Sequence, residues 1–355
     1  MAFEEFIGTK PVAPQHAFDE AALLRWLQQQ IPGFGATLVV ELFKGGQSNP
    51  TFRLSAESGR FVLRRKPPGQ LLPSAHAVDR EFRVIRALAG SAVPVARAHA
   101  LCTDESVIGS MFYVMDCVEG RVLWDPRLPG MSPDERRAHY AELGRVIAEL
   151  HRVDPAAAGL ADYGKPGNYV ARQVARWTQQ YRAAETDPIS AMDRLIDWLP
   201  SRIPPGDETA VVHGDYRFDN VIFHPTEPRI LAVLDWELST LGHPLVDFAY
   251  HCMTWHMSST EGNRGLAGVD FAALGIPTEA EYLQAYLQRT GRTQPVPPDE
   301  WRYYLVFNMF RLVGILQGIL KRALQGNASN ERALQAGARA RPLAEQAWAL
   351  AQASH

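Results

Sequence analysis

The stretch that most constrains this chain is Val211-Val212-His213-Gly214-Asp215-Tyr216-Arg217-Phe218-Asp219-Asn220, followed by Leu231-Ala232-Val233-Leu234-Asp235-Trp236-Glu237. The segment from Ile230 to Leu234 is apolar and short enough to be a buried strand. The order is therefore a loop carboxylate, an amide five residues on, a strand, and a second carboxylate. Carboxylate and amide oxygens are hard donors that suit Mg²⁺ held against phosphate oxygens. A loop aspartate can accept the proton of an attacking hydroxyl. Phosphoryl transfer from ATP needs both kinds of group.

In this order the residues resemble the aminoglycoside phosphotransferase family, a branch of the protein-kinase-like fold that also includes choline and homoserine kinases. In that family a His-Gly-Asp loop is followed by Asn five positions after the Asp, and a metal-binding Asp ends the next hairpin. The resemblance covers nearly the whole chain. It implies an α+β, bilobal protein-kinase-like fold: a small lobe with an antiparallel sheet and a helix over residues 1–116, a hinge at 117–120, and a mostly helical large lobe over 121–355. It implies ATP as donor, Asp215 as catalytic base, Asn220 and Asp235 as Mg²⁺ ligands, and Arg217 on the transferred phosphate. His213 and Asp247 would brace the loop through hydrogen bonds.

The N-terminal third reads as the small lobe. A helix is predicted over 18–30, then strands over 38–43 and 51–54 flanking Lys44-Gly45-Gly46-Gln47-Ser48-Asn49-Pro50. Strand, glycine turn, strand suits a phosphate-covering loop, because glycines let backbone amides approach oxygens closely. Gly45, Gly46, Ser48 and Asn49 are its candidates. A third strand is expected over 60–67, and the resemblance implies that it carries the cation for the α- and β-phosphates. Alternation puts Arg64 and Lys66 on the face of Val62; Arg64 is favoured with Lys66 as the alternative, where most relatives have Lys. In the helix predicted over 74–88, Glu81 is the partner for that cation, with Asp79 left to solvent. Further strands are expected over 97–102 and 111–115. Backbone groups around Asp116 to Val118 would meet adenine.

From Ser132 the pattern turns helical, with a Ser cap, Pro133 at the first helical position and acids in the first turn. This helix runs to about Arg152, and His151 near its end reads as a packed or capping residue. The stretch Asn168 to Arg182 has Arg172 and Arg176 one turn apart, and in the family this helix belongs to the acceptor-binding region. Its sequence is similar to the phosphotransferase domain that precedes the dehydrogenase in larger acyl-CoA dehydrogenase family members. Further helices are expected from Pro244, over 278–290, 298–325 and 330–353. Residues 254–269 read as a loop, a candidate lid.

Composition narrows the function classes. Net charge is -3, from 36 basic and 39 acidic residues, so no global field favours nucleic acid. The apolar run from Tyr303 to Leu320 contains Asn308, Arg311 and Gln317 and reads as a buried helix, with no membrane role. Three widely spaced cysteines and an N-terminus without a signal pattern suit a cytoplasmic protein. The basic helix argues against a polycationic aminoglycoside acceptor. Helix and resemblance together suggest an anionic small-molecule partner, a hydroxyacyl-CoA. Choline- or homoserine-like alcohols and a catalytically silent nucleotide-binding module are the alternatives. No segment beyond the kinase-like lobes could house a flavin.

Overall fold

Period-two alternation in the first third of the chain folds as an antiparallel sheet. The structure, a computed structural model, describes residues 8–44, 49–67, 77–259, 265–325 and 331–353. It divides into two compact units, one of Met1–Trp124, Ala158–Leu160 and Phe218–Ser239, the other of Asp125–Ala157, Ala161–Arg217 and Thr240–His355.

In the first unit the strands are β1 (Thr9–Lys10), β2 (Val39–Phe43), β3 (Thr51–Ala56), β4 (Gly59–Arg65), β5 (Ala98–Cys102) and β6 (Phe112–Asp116). Their spatial order is β1-β2-β3-β4-β6-β5. Register pairs Leu54 with Phe61 and Thr51 with Arg64 across β3 and β4. One face of the sheet buries Phe52, Leu54, Phe61, Leu63, Phe112 and Val114 in a core shared with Leu23 and Leu27 of helix α1 (Glu20–Gln30). Asp19 caps α1, its carboxylate accepting from the Ala22 amide at 2.9 Å. Successive strand residues point to opposite faces, so Arg64 lies on the other side from that core. Helix α2 (Val78–Leu88) packs against β5 and β6, with Phe82 6.0 Å from Tyr113. Residues 74–76 of the helix expected here lie outside the described residues.

A hairpin of Val221–Phe223 and Ile230–Val233 belongs to the same unit. Backbone bonds tie it there: Arg121 exchanges both bonds with Phe223 at 2.8 Å, and the Val233 amide donates to the Pro94 carbonyl at 2.9 Å. Gly120 makes the approach possible, since a Cβ there would stand 2.2 Å from the Phe223 oxygen.

The second unit is helical around a two-stranded ribbon, Ala210–Val212 paired with Thr240–Gly242. Its helices include α3 (Pro133–His151), α4 (Tyr169–Ala184), α5 (Ser190–Trp198), α6 (Pro244–Cys252), α7 (Phe271–Leu274), α8 (Glu279–Arg289), α9 (Pro298–Leu324), α10 (Glu331–Ala338) and α11 (Ala340–Gln352). Helix α3 starts in a capping box in which Ser132 and Glu135 satisfy each other's amides. Helix α9 is long and apolar enough to cross a membrane, yet 72% of its apolar window is buried within the unit. It packs on α4, α6, α10 and α11, which makes it the core helix. The sequence predicts one helix over 330–353, but the helix is interrupted at Arg339, between α10 and α11. Helix α5 is an addition. It has nine residues and no side-chain cap, so it lacks the signals by which a helix is read from sequence.

Candidate active site

The first unit builds a charged cluster on the sheet face opposite its apolar core. Arg64, near the end of β4, is 9% exposed. Its Nε lies 2.9 Å from Glu81 Oε2, and its Nη2 lies 2.5 Å from Asp235 Oδ1 and 3.6 Å from Glu237 Oε2. Glu81, on α2, also accepts from Asn49 Nδ2 at 2.9 Å and from the Tyr113 hydroxyl at 3.2 Å. Burial works against both charges. It would drive the proton off Arg64, but Glu81 and then Asp235 reverse this and raise its pKa, so the guanidinium stays charged. Burial also pushes Glu81 up to about 7, against the pull of Arg64. Asp79 is exposed. Lys66 lies past the end of β4, its amide bonded to the Met111 carbonyl at 3.0 Å, and Arg64 is the cation placed in the cluster. The neighbouring Arg65 points the other way and stacks on Phe18 and Phe52 at 5.1 and 5.4 Å.

The hairpin brings the two candidate metal ligands together. The Leu234 amide donates to the Asn220 carbonyl at 2.8 Å, so Asn220 and Asp235 share the open end of the hairpin. Asp235 takes a left-handed conformation, φ 61°, which an aspartate tolerates better than most residues. Trp236 anchors the following turn, its indole donating to the Val233 carbonyl at 3.0 Å. Asp235, Asn220 and Glu237 supply only hard oxygen donors. Such a set fits Mg²⁺, which keeps waters and phosphate oxygens as its other ligands.

Gly45, Gly46 and Ser48 lie outside the described residues, as does the centre of the expected lid, 260–264. Asn49 is described and fully buried. At the expected adenine contacts, the Asp116 amide already donates to the Arg97 carbonyl at 2.9 Å and the Cys117 amide to the Arg60 carbonyl at 3.2 Å. An adenine there would fall to the Val118 amide and the neighbouring carbonyls.

The second unit holds the loop of residues 213–217. Asp247, in the first turn of α6, accepts from the His213 amide at 2.7 Å and the Gly214 amide at 2.8 Å. His151 approaches the same carboxylate at 3.2 Å, its other ring nitrogen 2.7 Å from the Tyr286 hydroxyl. Burial alone would raise the Asp247 pKa. The hydrogen bond from His151, with that from the His213 amide, outweighs this and holds it below the usual carboxylate range. His213 Nδ1 accepts from the Asp215 amide at 3.2 Å. At the Asp215 side chain, Oδ1 accepts from the Tyr250 hydroxyl at 2.6 Å and lies 3.3 Å from Arg217 Nε. Arg311 Nη2 donates to the Gly214 carbonyl at 2.7 Å.

On α4 the structure separates the candidate acceptor residues. Arg172 turns back on its own helix start, donating to the Lys165 carbonyl at 2.6 Å and the Pro166 carbonyl at 3.4 Å. Arg176 is exposed. Arg182, at the end of the same helix, pairs with Glu185 at 3.4 Å and with Asp193 of α5 at 2.7 Å, so the helix is less basic than its own sequence suggests. Sequence reasoning also missed Glu237, Tyr250 and Arg311. A signal existed for two of them: Tyr250 follows Asp247 by three residues on one helix face, and Arg311 is a charge inside an apolar run.

Comparisons with known proteins bear on the family and the fold. The profile of the phosphotransferase enzyme family matches residues 39–300. Acyl-CoA dehydrogenase family member 10 of Mus musculus is 46% identical over 345 residues, 96% of this chain but only 32% of its own length. The chain thus spans about a third of that curated relative. A Ralstonia eutropha protein, provisionally named an aminoglycoside phosphotransferase, has a crystal structure matching at a TM-score of 0.86 with 58% identity, over 95% of this chain and 99% of its own. Aminoglycoside phosphotransferase APH(4)-Ia, crystallised with AMP-PNP and hygromycin B, matches at 0.61 with 14% identity, over 94% of this chain and 99% of its own, which shows the shared fold. With an α+β, kinase-like architecture and a family profile over most of its length, the chain belongs to the phosphotransferase enzyme family.

Proposed function

We propose that this protein is an ATP- and Mg²⁺-dependent kinase that phosphorylates the hydroxyl of a hydroxyacyl-CoA. The observation that carries the kinase reading is the Arg64 cluster. One guanidinium, held by Glu81, reaches an aspartate that shares a hairpin end with an asparagine, which is the cation-and-oxygen set a triphosphate with its metal requires. Mg²⁺, when bound at Asp235 and Asn220, would offset charge on the phosphate oxygens. Arg64 orients the α- and β-phosphates by its planar fork. Asp215 takes the proton as the acceptor oxygen bonds to the γ-phosphorus and the bond to ADP breaks. Arg217 offsets negative charge on the group in transfer.

Three observations support the acyl-CoA acceptor. The relative from Mus musculus, whose matched region is 46% identical to this chain and makes up 32% of its length, is named as a whole protein for acyl-CoA chemistry. Arg176 is exposed on α4 and can meet an anion. An open depression of about 420 Å³ beside α4 and α5 is lined by Ala171, Val174, Ala175, Ile196, Pro200 and Ile203, with Thr178 and Gln179; its apolar lining suits a hydrocarbon chain.

The test is ADP release across a panel of 3- and 4-hydroxyacyl-CoAs, choline, homoserine and kanamycin, with Asp215→Asn as the control. Stimulation by hydroxyacyl-CoAs above the others is the expected result. Stimulation by choline or kanamycin instead would remove the acyl reading and keep the kinase. No stimulation above the control by any acceptor would favour a silent nucleotide-binding module.

A further inference from the structure

Some buried tyrosines in this protein spend their hydroxyls on backbone. Tyr140 donates to the Pro126 carbonyl at 2.6 Å, Tyr216 to Leu143 at 3.0 Å and Tyr303 to Leu199 at 3.1 Å. Tyr250 differs. It is 4% exposed, and its hydroxyl goes to the Asp215 carboxylate. Burial first, and then the charge of Asp215, raise the Tyr250 pKa well above that of a free phenol, so the group remains a donor at any working pH.

The ring of Tyr250 is itself held. The Arg311 guanidinium sits 4.8 Å from its centroid and 5.3 Å from that of Trp177, a cation between two aromatic faces. The same guanidinium donates to the Gly214 carbonyl. Helices α4, α6 and α9 therefore meet at one point, and from it they grip both the backbone before Asp215 and its side chain.

We propose that Tyr250 is a positioning residue for phosphoryl transfer: its hydroxyl fixes the rotamer of the Asp215 carboxylate, and the Trp177–Arg311 stack fixes Tyr250. The proposal rests on Asp215 being the proton acceptor. A carboxylate that can swing loses the near-attack geometry on which its contribution depends. The hydrogen bond therefore acts on the transfer step and leaves ATP binding alone.

Tyr250→Phe tests this, because the ring that Arg311 stacks on is kept and only the hydroxyl is lost. The expected result is a fall in kcat on the order of 10- to 100-fold, with KM for ATP and the melting temperature little changed. In an Asp215→Asn background the same substitution adds no further loss, as for groups acting as one unit. Losses that multiply would assign Tyr250 a merely structural role and overturn the proposal. So would a Tyr250→Phe enzyme as fast as the parent, which would leave the kinase reading intact. A second measurement does not depend on turnover: with ¹³Cζ-labelled tyrosine, the Tyr250 resonance, assigned by its loss in Tyr250→Phe, shifts in Asp215→Asn. An unmoved resonance overturns the contact in solution. A parent protein with no phosphotransfer at all overturns the function and this role together.

Discussion

Protonation of His251 exposes how the second unit's stability depends on acid. His251 is 3% exposed. Its ring packs against those of Tyr216, Trp255 and Tyr282, at 6.1, 5.7 and 5.5 Å. Burial holds its pKa down to about 3; Arg217 adds to that effect and Asp247 opposes it. The unfolded chain takes up this proton near the ordinary value of about 6.5, so the folded-state pKa is the depressed one. Stability from the neutral ring is thus complete above about pH 6.5 and is lost as pH falls towards 3. Each unit is worth about 1.4 kcal/mol, so two units, down to about pH 4.5, cost about 3 kcal/mol. That is a large share of the roughly 5–15 kcal/mol of a typical domain. The assay is urea denaturation followed by circular dichroism at about pH 7 and about pH 4.5, for the parent and for His251→Phe, which keeps a ring and removes the titration. Other ionisable groups act alike in both proteins and cancel, which leaves a difference of about 3 kcal/mol. Equal losses in the two, within about 1 kcal/mol, would refute the assignment.

Asp247→Asn removes the charge that accepts both loop amides and His151. A loss of about 3–5 kcal/mol follows, with faster hydrogen exchange at the His213 and Gly214 amides; unchanged exchange would contradict the bracing. Arg64→Met strands Glu81, Asp235 and Glu237 without their cation, and a cost of about 3–5 kcal/mol is expected in thermal unfolding; a neutral result would mean the cluster is not held as described. Gly275→Ala puts a Cβ 2.3 Å from the Pro133 carbonyl oxygen at φ +72°, so it should destabilise by about 2 kcal/mol or more, read as a lowered urea midpoint.

The parts of this structure legible in the sequence are those set by local periodicity and covalent spacing. Alternation in residues 51–65 gives β3 and β4, and the cap at Ser132 gives the start of α3. The five-residue step from Asp215 to Asn220 and the strand before Asp235 mark both ligand candidates. What sequence reading misses depends on chains meeting from far apart. Arg182 has only Glu185 near it in sequence until α5 brings Asp193 to it. Tyr250 and Arg311 look like core residues until α6 and α9 turn them onto the Asp215 loop. Alternation narrows the phosphate cation only to Arg64 or Lys66. Burial beside Glu81 then places Arg64 in the cluster, because a buried guanidinium has to find carboxylates.

The destination of the γ-phosphoryl group decides what this protein does. Incubation with [γ-³²P]ATP, Mg²⁺ and a 4-hydroxyacyl-CoA, with the product mapped by mass spectrometry, should place a phosphomonoester on the acyl hydroxyl. Asp215→Asn should slow its formation on the order of 10²- to 10⁴-fold. Label recovered only as inorganic phosphate, or an Asp215→Asn protein that forms the ester at the parent's rate, would contradict the proposed function.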